Sequence, residues 1–82
     1  MKLKHMRGSI WHVYAQIPNE HGEEDSYIPI IVRFKYLECD LLVQFIKAWT
    51  YGSPAEHDEL WLLRSWLEEN ESEIVAQIGG ME

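Results

Sequence analysis

The chain has 82 residues, a formal charge of −7 and one cysteine, a size that holds one domain over 1–82 and rules out an intrachain disulfide. An acidic balance of this kind argues against direct nucleic-acid binding, which needs cations to displace phosphate counterions. The longest run of large apolar residues, Leu60 to Leu63, falls far short of the ~20 needed to span a bilayer, so no membrane association is expected.

The opening MKLKHMRG is basic, but His12, Gln16 and Pro18 interrupt the segment after it, so no signal peptide is expected. From Ile10 to Ile17, Trp11, Val13, Ala15 and Ile17 share one parity and His12 and Gln16 the other, the pattern of a half-buried strand that Pro18 ends. If this strand begins earlier, near Lys2, Gly8 marks a bulge or bend; the alternative is a separate third strand from the first seven residues. The polar stretch NEHGEEDS connects to a second strand from about Tyr27 to Leu37. In it Ile28, Ile30, Val32, Phe34 and Tyr36 face one way, and Arg33 and Lys35 the other. Pro29 belongs near the start of that strand or on an exposed edge.

Beyond Leu37 the period changes. Leu42, Phe45, Ile46 and Trp49 recur at i, i+3, i+4 and i+7, with Asp40 before them and Gly52 after, which predicts a helix over about 40–51. Ser53-Pro54-Ala55-Glu56 reads as a capping box that opens the next helix. Its stripe of Leu60, Leu63, Leu67, Ile74 and Ile78 runs toward Gly79, either unbroken or kinked at the second capping box, Asn70-Glu71-Ser72-Glu73. The expected fold is therefore α+β: an antiparallel hairpin over 1–37 packed on a helical region over 38–80, in the order ββαα.

Chemistry-bearing groups are sparse. His5, His12, His21, His57 and Cys39 have the donor atoms for zinc, but no pair has the spacing of a metal motif. Cys39 near a helix amino terminus, approached by His57, would be the one nucleophile arrangement. Phosphate-binding loops and hydrolase elbows are missing from the sequence. No enzyme activity, cofactor or metal is expected, and a lone cysteine suits a reducing cytoplasm.

More informative is what lies off the stripe of the last helix. Trp61, Leu62 and Trp66 project away from it, and Asp58, Glu59, Glu69 and Glu73 surround Leu62 and Trp66. Large apolar anchors inside a charged rim are how protein-binding hot spots are built; the competing reading buries both tryptophans inside the fold. The expectation is a non-enzymatic module that docks these residues, with Glu23, Glu24 and Asp25 of the hairpin connection, on a basic surface of another protein. In its sharpest form it is an inhibitor presenting carboxylates where phosphates would lie, a nucleic-acid mimic of the kind phages and mobile elements encode. The alternative is a homodimeric accessory subunit held by sheet-edge pairing or by the Trp61, Leu62 and Trp66 surface.

Overall fold

A computed structural model describes residues 1–19 and 26–81. Glu23, Glu24, Asp25 and His21 lie outside the described residues. The fold is α+β, with strands β1 (Lys2–Arg7), β2 (Ile10–Pro18), β3 (Tyr27–Leu37), β4 (Leu42–Thr50) and β5 (Ser53–Pro54), then helices α1 (His57–Glu69) and α2 (Glu71–Met81). The five strands form one antiparallel meander in the order β1-β2-β3-β4-β5.

The alternation of β2 and β3 sets the sheet. Val13 opposes Val32 and Trp11 opposes Phe34, and Val13, Val32 and Phe34 are sealed from solvent. β1 adds a third strand at the edge, and Gly8, with φ 55°, turns the chain from β1 into β2. Pro29 is the third residue of β3. Its carbonyl accepts from the Tyr51 N–H at 3.0 Å. Its missing N–H points the same way, just past the Ile30–Thr50 pair, where the ladder with β4 is ending.

The segment expected to be a helix over 40–51 is instead strand β4. Its pairing with β3 runs Leu37–Leu42, Tyr36–Val43, Lys35–Gln44 and Phe34–Phe45, then skips to Arg33–Lys47, Val32–Ala48, Ile31–Trp49 and Ile30–Thr50. Ile46 is the extra residue of a β-bulge, and it changes which parity faces the core. Val43 and Phe45 point inward before it, Ala48 and Thr50 after it, so inward positions fall at spacings of two, three and two. A bulged strand of this kind imitates helical spacing. The apparent helical stripe is in fact divided, with Phe45 inward, Leu42 and Trp49 outward, and Ile46 at the bulge.

Gly52 is likewise a hairpin residue and not the end of a helix. Tyr51 and Gly52 both have positive φ, 51° and 80°, and the Thr50–Ser53 pair closes around them, the signature of a type I′ turn. Ser53 therefore belongs to β5, and the helix starts three residues later than its capping box implied. The N-cap is Glu56, whose N–H donates to the Glu59 carboxylate at 3.0 Å. Asn70 divides the C-terminal segment: its side-chain amide donates to the Trp66 carbonyl at 2.8 Å and its own carbonyl accepts from the Ile74 N–H at 3.0 Å. Of the two arrangements the sequence left open, the broken helix is the one formed.

Leu63, Leu67, Ile74 and Ile78 from the two helices complete the core over the inner face of the sheet, with Leu3, Ile17, Ile30, Tyr36 and Val43 around them. α1 lies against β4, and α2 reaches from β4 to β1. Among the described residues the opposite face of the sheet has no helix on it, because both helices follow β5 and pack on one side. No helix is long and apolar enough to cross a membrane, among the described residues.

Candidate binding surfaces

The outer side of α1 carries the residues singled out by the sequence. With Leu63 and Leu67 turned into the core, the opposite side presents Trp61, 75% exposed, and Leu62, 45% exposed, beside exposed Asp58, Glu68 and Glu69. Trp66 is different: it is half-buried and packs on the core, while its carbonyl takes the Asn70 side chain. Glu59 is half-buried, and its carboxylate accepts from the Glu56 N–H and, at 3.2 Å, from the Thr50 hydroxyl on β4. Glu73 is exposed on α2 and accepts from Gln77 at 3.3 Å. The structure thus gathers Asp58, Trp61, Leu62 and Glu69 on one outward surface, uses Glu59 and Trp66 inside the fold, and places Glu73 on the following helix.

The uncovered face of the sheet is a second surface. Register aligns its side chains in rows across the strands. One row is Lys4, His12, Arg33 and Lys47; the next is Lys2, Tyr14, Ile31 and Trp49; beyond it lie Gln16, Pro29 and the turn residue Tyr51. Lys35 and Arg7, each paired with Ile10 or next to it, complete the other side. Six of the seven Lys and Arg residues of the chain stand on this face, and the strands contain no Asp or Glu. The nine acids among the described residues occupy the turn after β3 (Glu38, Asp40) and the helical half (Glu56, Asp58, Glu59, Glu68, Glu69, Glu71, Glu73). The described residues therefore separate a basic sheet face from an acidic helical half, a division that the whole-chain charge of −7 does not reveal.

The centre of the basic face is ordered by aromatic contacts. The Arg33 guanidinium lies 4.9 Å and the Lys47 ammonium 5.3 Å from the Trp49 ring centroid, both within cation–π range. Arg33 Nε donates to His12 Nε2 at 3.0 Å, which fixes that nitrogen as an acceptor and the ring as neutral. Burial of His12, then the charges of Arg33 and Lys4, hold its pKa below the ordinary value of 6.5. Toward the Tyr51 end, Tyr14, Tyr27 and Tyr51 line an open hollow of about 730 Å³ with Lys2, Gln16 and Ile31. Tyr51 is 64% exposed despite its left-handed backbone.

The sequence showed Arg33 and Lys35 on the polar side of their strand. Lys47 and Trp49 were hidden by the helical reading of β4, and the alignment of Lys4 with them depends on register that composition does not carry. Cys39 is exposed in the turn between β3 and β4, with no helix amino terminus beside it, and His57 lies at the start of α1. His5 Nε2 is 2.7 Å from the Gly8 carbonyl oxygen and its ring is 4.8 Å from that of Trp11. Among the described residues no group of three or more His, Cys, Asp or Glu is placed to hold a metal ion. No family model matches the chain, and comparison with curated proteins and with solved structures finds no significant match.

Proposed function

We propose that the chain is a non-enzymatic protein-binding module of a reducing, cytoplasmic compartment, whose outer α1 face docks on a basic surface of another protein. One observation carries this reading: an indole 75% exposed on a rigid helix, next to a 45% exposed leucine and framed by Asp58, Glu68 and Glu69. Exposing Trp61 in this way leaves a large apolar area in water, and covering it by a partner recovers that cost at a central anchor while the carboxylates select the sign of the partner. Among the described residues seven of the nine carboxylates stand on the helical half, so mimicry of a phosphate backbone centres on that half; the basic sheet would repel the walls of a nucleic-acid groove.

Sheet-edge dimerisation is the weaker reading. β1 is a free edge six residues long, but antiparallel pairing with its own copy sets Lys2 and Lys4 of the two chains on one face, where like charges oppose association.

The test is affinity capture at low salt with the wild type, Trp61→Ala and the double reversal Asp58→Lys/Glu69→Lys. The expected result is one basic partner, lost from both variants and retained by a Lys4→Glu/Lys47→Glu control. Recovery of acidic or neutral partners alone, or equal recovery by Trp61→Ala, overturns the reading.

A further inference from the structure

From the uncovered face of the sheet we infer that it binds a single-stranded nucleic acid, with phosphates on the Lys4, Arg33 and Lys47 row and bases in the adjoining tyrosine hollow.

Charge complementarity is the first argument. Among the described residues, six cations and no carboxylate on a face built from β1–β4 make a local surface of one sign, although the chain is acidic overall. The acids of the helices stand on the far side of a sheet-and-helix sandwich. At physiological salt the screening length is about 8 Å, so a strand lying on the sheet responds chiefly to the charges of that face.

Aromatic placement is the second. Same-face rows repeat every two residues, roughly 6.7 Å along the strands. The cationic row of Lys4, Arg33 and Lys47 is thus one step from Tyr14 and Trp49 and two steps from Tyr51. A strand crossing the sheet at right angles to the β-strands meets cations along one side and ring faces along the other. Sequence-tolerant recognition of unpaired bases uses this combination of a positive track and stacking platforms. Gln16 in the same hollow supplies an amide able to meet a base edge.

Strain is the third. Tyr51 holds φ at 51°, a conformation that costs a bulky residue roughly 1–2 kcal/mol where glycine or asparagine would pay little. Its ring recovers little of that by burial, because it stays mostly in solvent. A strained, exposed aromatic beside two other tyrosines is explained by a stacking partner. A duplex fits poorly, since its bases are already stacked and the sheet offers no protruding helix or ribbon for a groove. The acidic α1 face of a second copy matches the charge and offers one indole, Trp61, but a single ring does not supply the succession of planar groups that a row of tyrosines along the sheet can stack.

The experiment is fluorescence anisotropy with a labelled oligo(U) of about twelve nucleotides. Binding is expected at about 50 mM salt, weakening roughly 20- to 50-fold by about 200 mM if three or four phosphates are engaged. Lys4→Glu/Lys47→Glu should weaken it at least about tenfold and flatten the salt dependence. Tyr51→Ala should weaken it about 5- to 100-fold with the salt slope unchanged. Asp58→Lys/Glu69→Lys should still bind, which separates this proposal from the helix-face reading. Circular dichroism verifies that each variant is folded, and Lys4→Gln/Lys47→Gln replaces the reversal if it is not. The proposal is overturned by no binding at low salt, by wild-type affinity in both sheet variants, or by equal affinity for a blunt duplex of the same length. Self-association that the lysine variant abolishes, with no oligonucleotide bound, would assign the face to a second copy and also overturn it.

Discussion

Deleting Ile46 is the most direct probe of the structure of β4. In a regular strand the loss of one residue turns every side chain beyond it to the opposite face. Here the pairs on either side, Phe34–Phe45 and Arg33–Lys47, are consecutive on β3, so removing the residue between them leaves both pairs and both facings in place. The direct loss is one side chain that is 44% exposed. Full burial of an isoleucine contributes about 1.5–3 kcal/mol, so the half that is covered contributes about 1 kcal/mol. In a domain of this size that corresponds to a fall in Tm of about 4–8 °C. Deleting Tyr14 from the unbulged β2 has no such escape. Either Gln16 turns inward and Ile17 outward, or His12 turns inward while Trp11 and Val13 turn outward. Burying a glutamine without partners and exposing an isoleucine costs about 3–6 kcal/mol, much of the roughly 4–12 kcal/mol available to a chain this long. Thermal unfolding followed by far-ultraviolet circular dichroism should show a cooperative transition within about 10 °C of wild type for the Ile46 deletion, and for the Tyr14 deletion one lowered by about 12 °C or more or lost altogether. A loss in the Ile46 deletion as large as that in the Tyr14 deletion would refute the bulge.

The remaining predictions concern groups with defined partners. His12 has a folded pKa below its unfolded value, so the unfolded state takes up protons first: its stabilising contribution is complete above about pH 6.5 and is lost as pH falls through the lower folded value. A fall in Tm between about pH 7.5 and pH 5 should be smaller in His12→Gln, whose amide oxygen still accepts from Arg33; an unchanged profile would contradict the assignment. Glu59→Ala removes the acceptor for both Glu56 N–H and the Thr50 hydroxyl and should cost about 1–2 kcal/mol by urea unfolding, against about 0.5 kcal/mol or less for Glu69→Ala. Trp61→Ala should leave stability within about 0.5 kcal/mol, whereas Leu63→Ala, on the opposite side of the helix and fully buried, should cost about 2–5 kcal/mol.

Legibility in the sequence depended on which signals were local. β2 and β3 were readable because alternation within one strand records its two faces directly; at Asn70 the sequence offered a capping signal but left the continuous and the broken helix open, because the apolar stripe runs through the break in register. β4 was not, because its inward set, Val43, Phe45, Ala48 and Thr50, changes parity at Ile46, and the bulge is a property of the pairing with β3 and not of the β4 sequence. Ser53-Pro54 misled for a related reason: Tyr51-Gly52 forms a hairpin turn without the asparagine or aspartate that usually announces one, so Gly52 resembled a helix end and Ser53 a cap. The outward position of Trp61 and Leu62 came from helical geometry alone. Glu59 turned toward Thr50 on β4 and Trp66 packed against the core, neighbours that no helical wheel contains. The basic sheet face needed Lys4, Arg33 and Lys47 brought side by side from three strands distant in sequence, and one of those strands was read as a helix.

Separation of charge between the sheet face and the helical half of the described residues creates a polarity that an isoelectric point of about 5.0 conceals. Such a protein has no single electrostatic character toward its surroundings; it turns. Near an anion-exchange resin the helices face the matrix and net charge alone suffices for retention, whereas any retention on a cation-exchange resin at neutral pH would have to come from the strands. The same torque acts in free encounters, sorting approaching macromolecules by sign to opposite poles before any short-range contact is made.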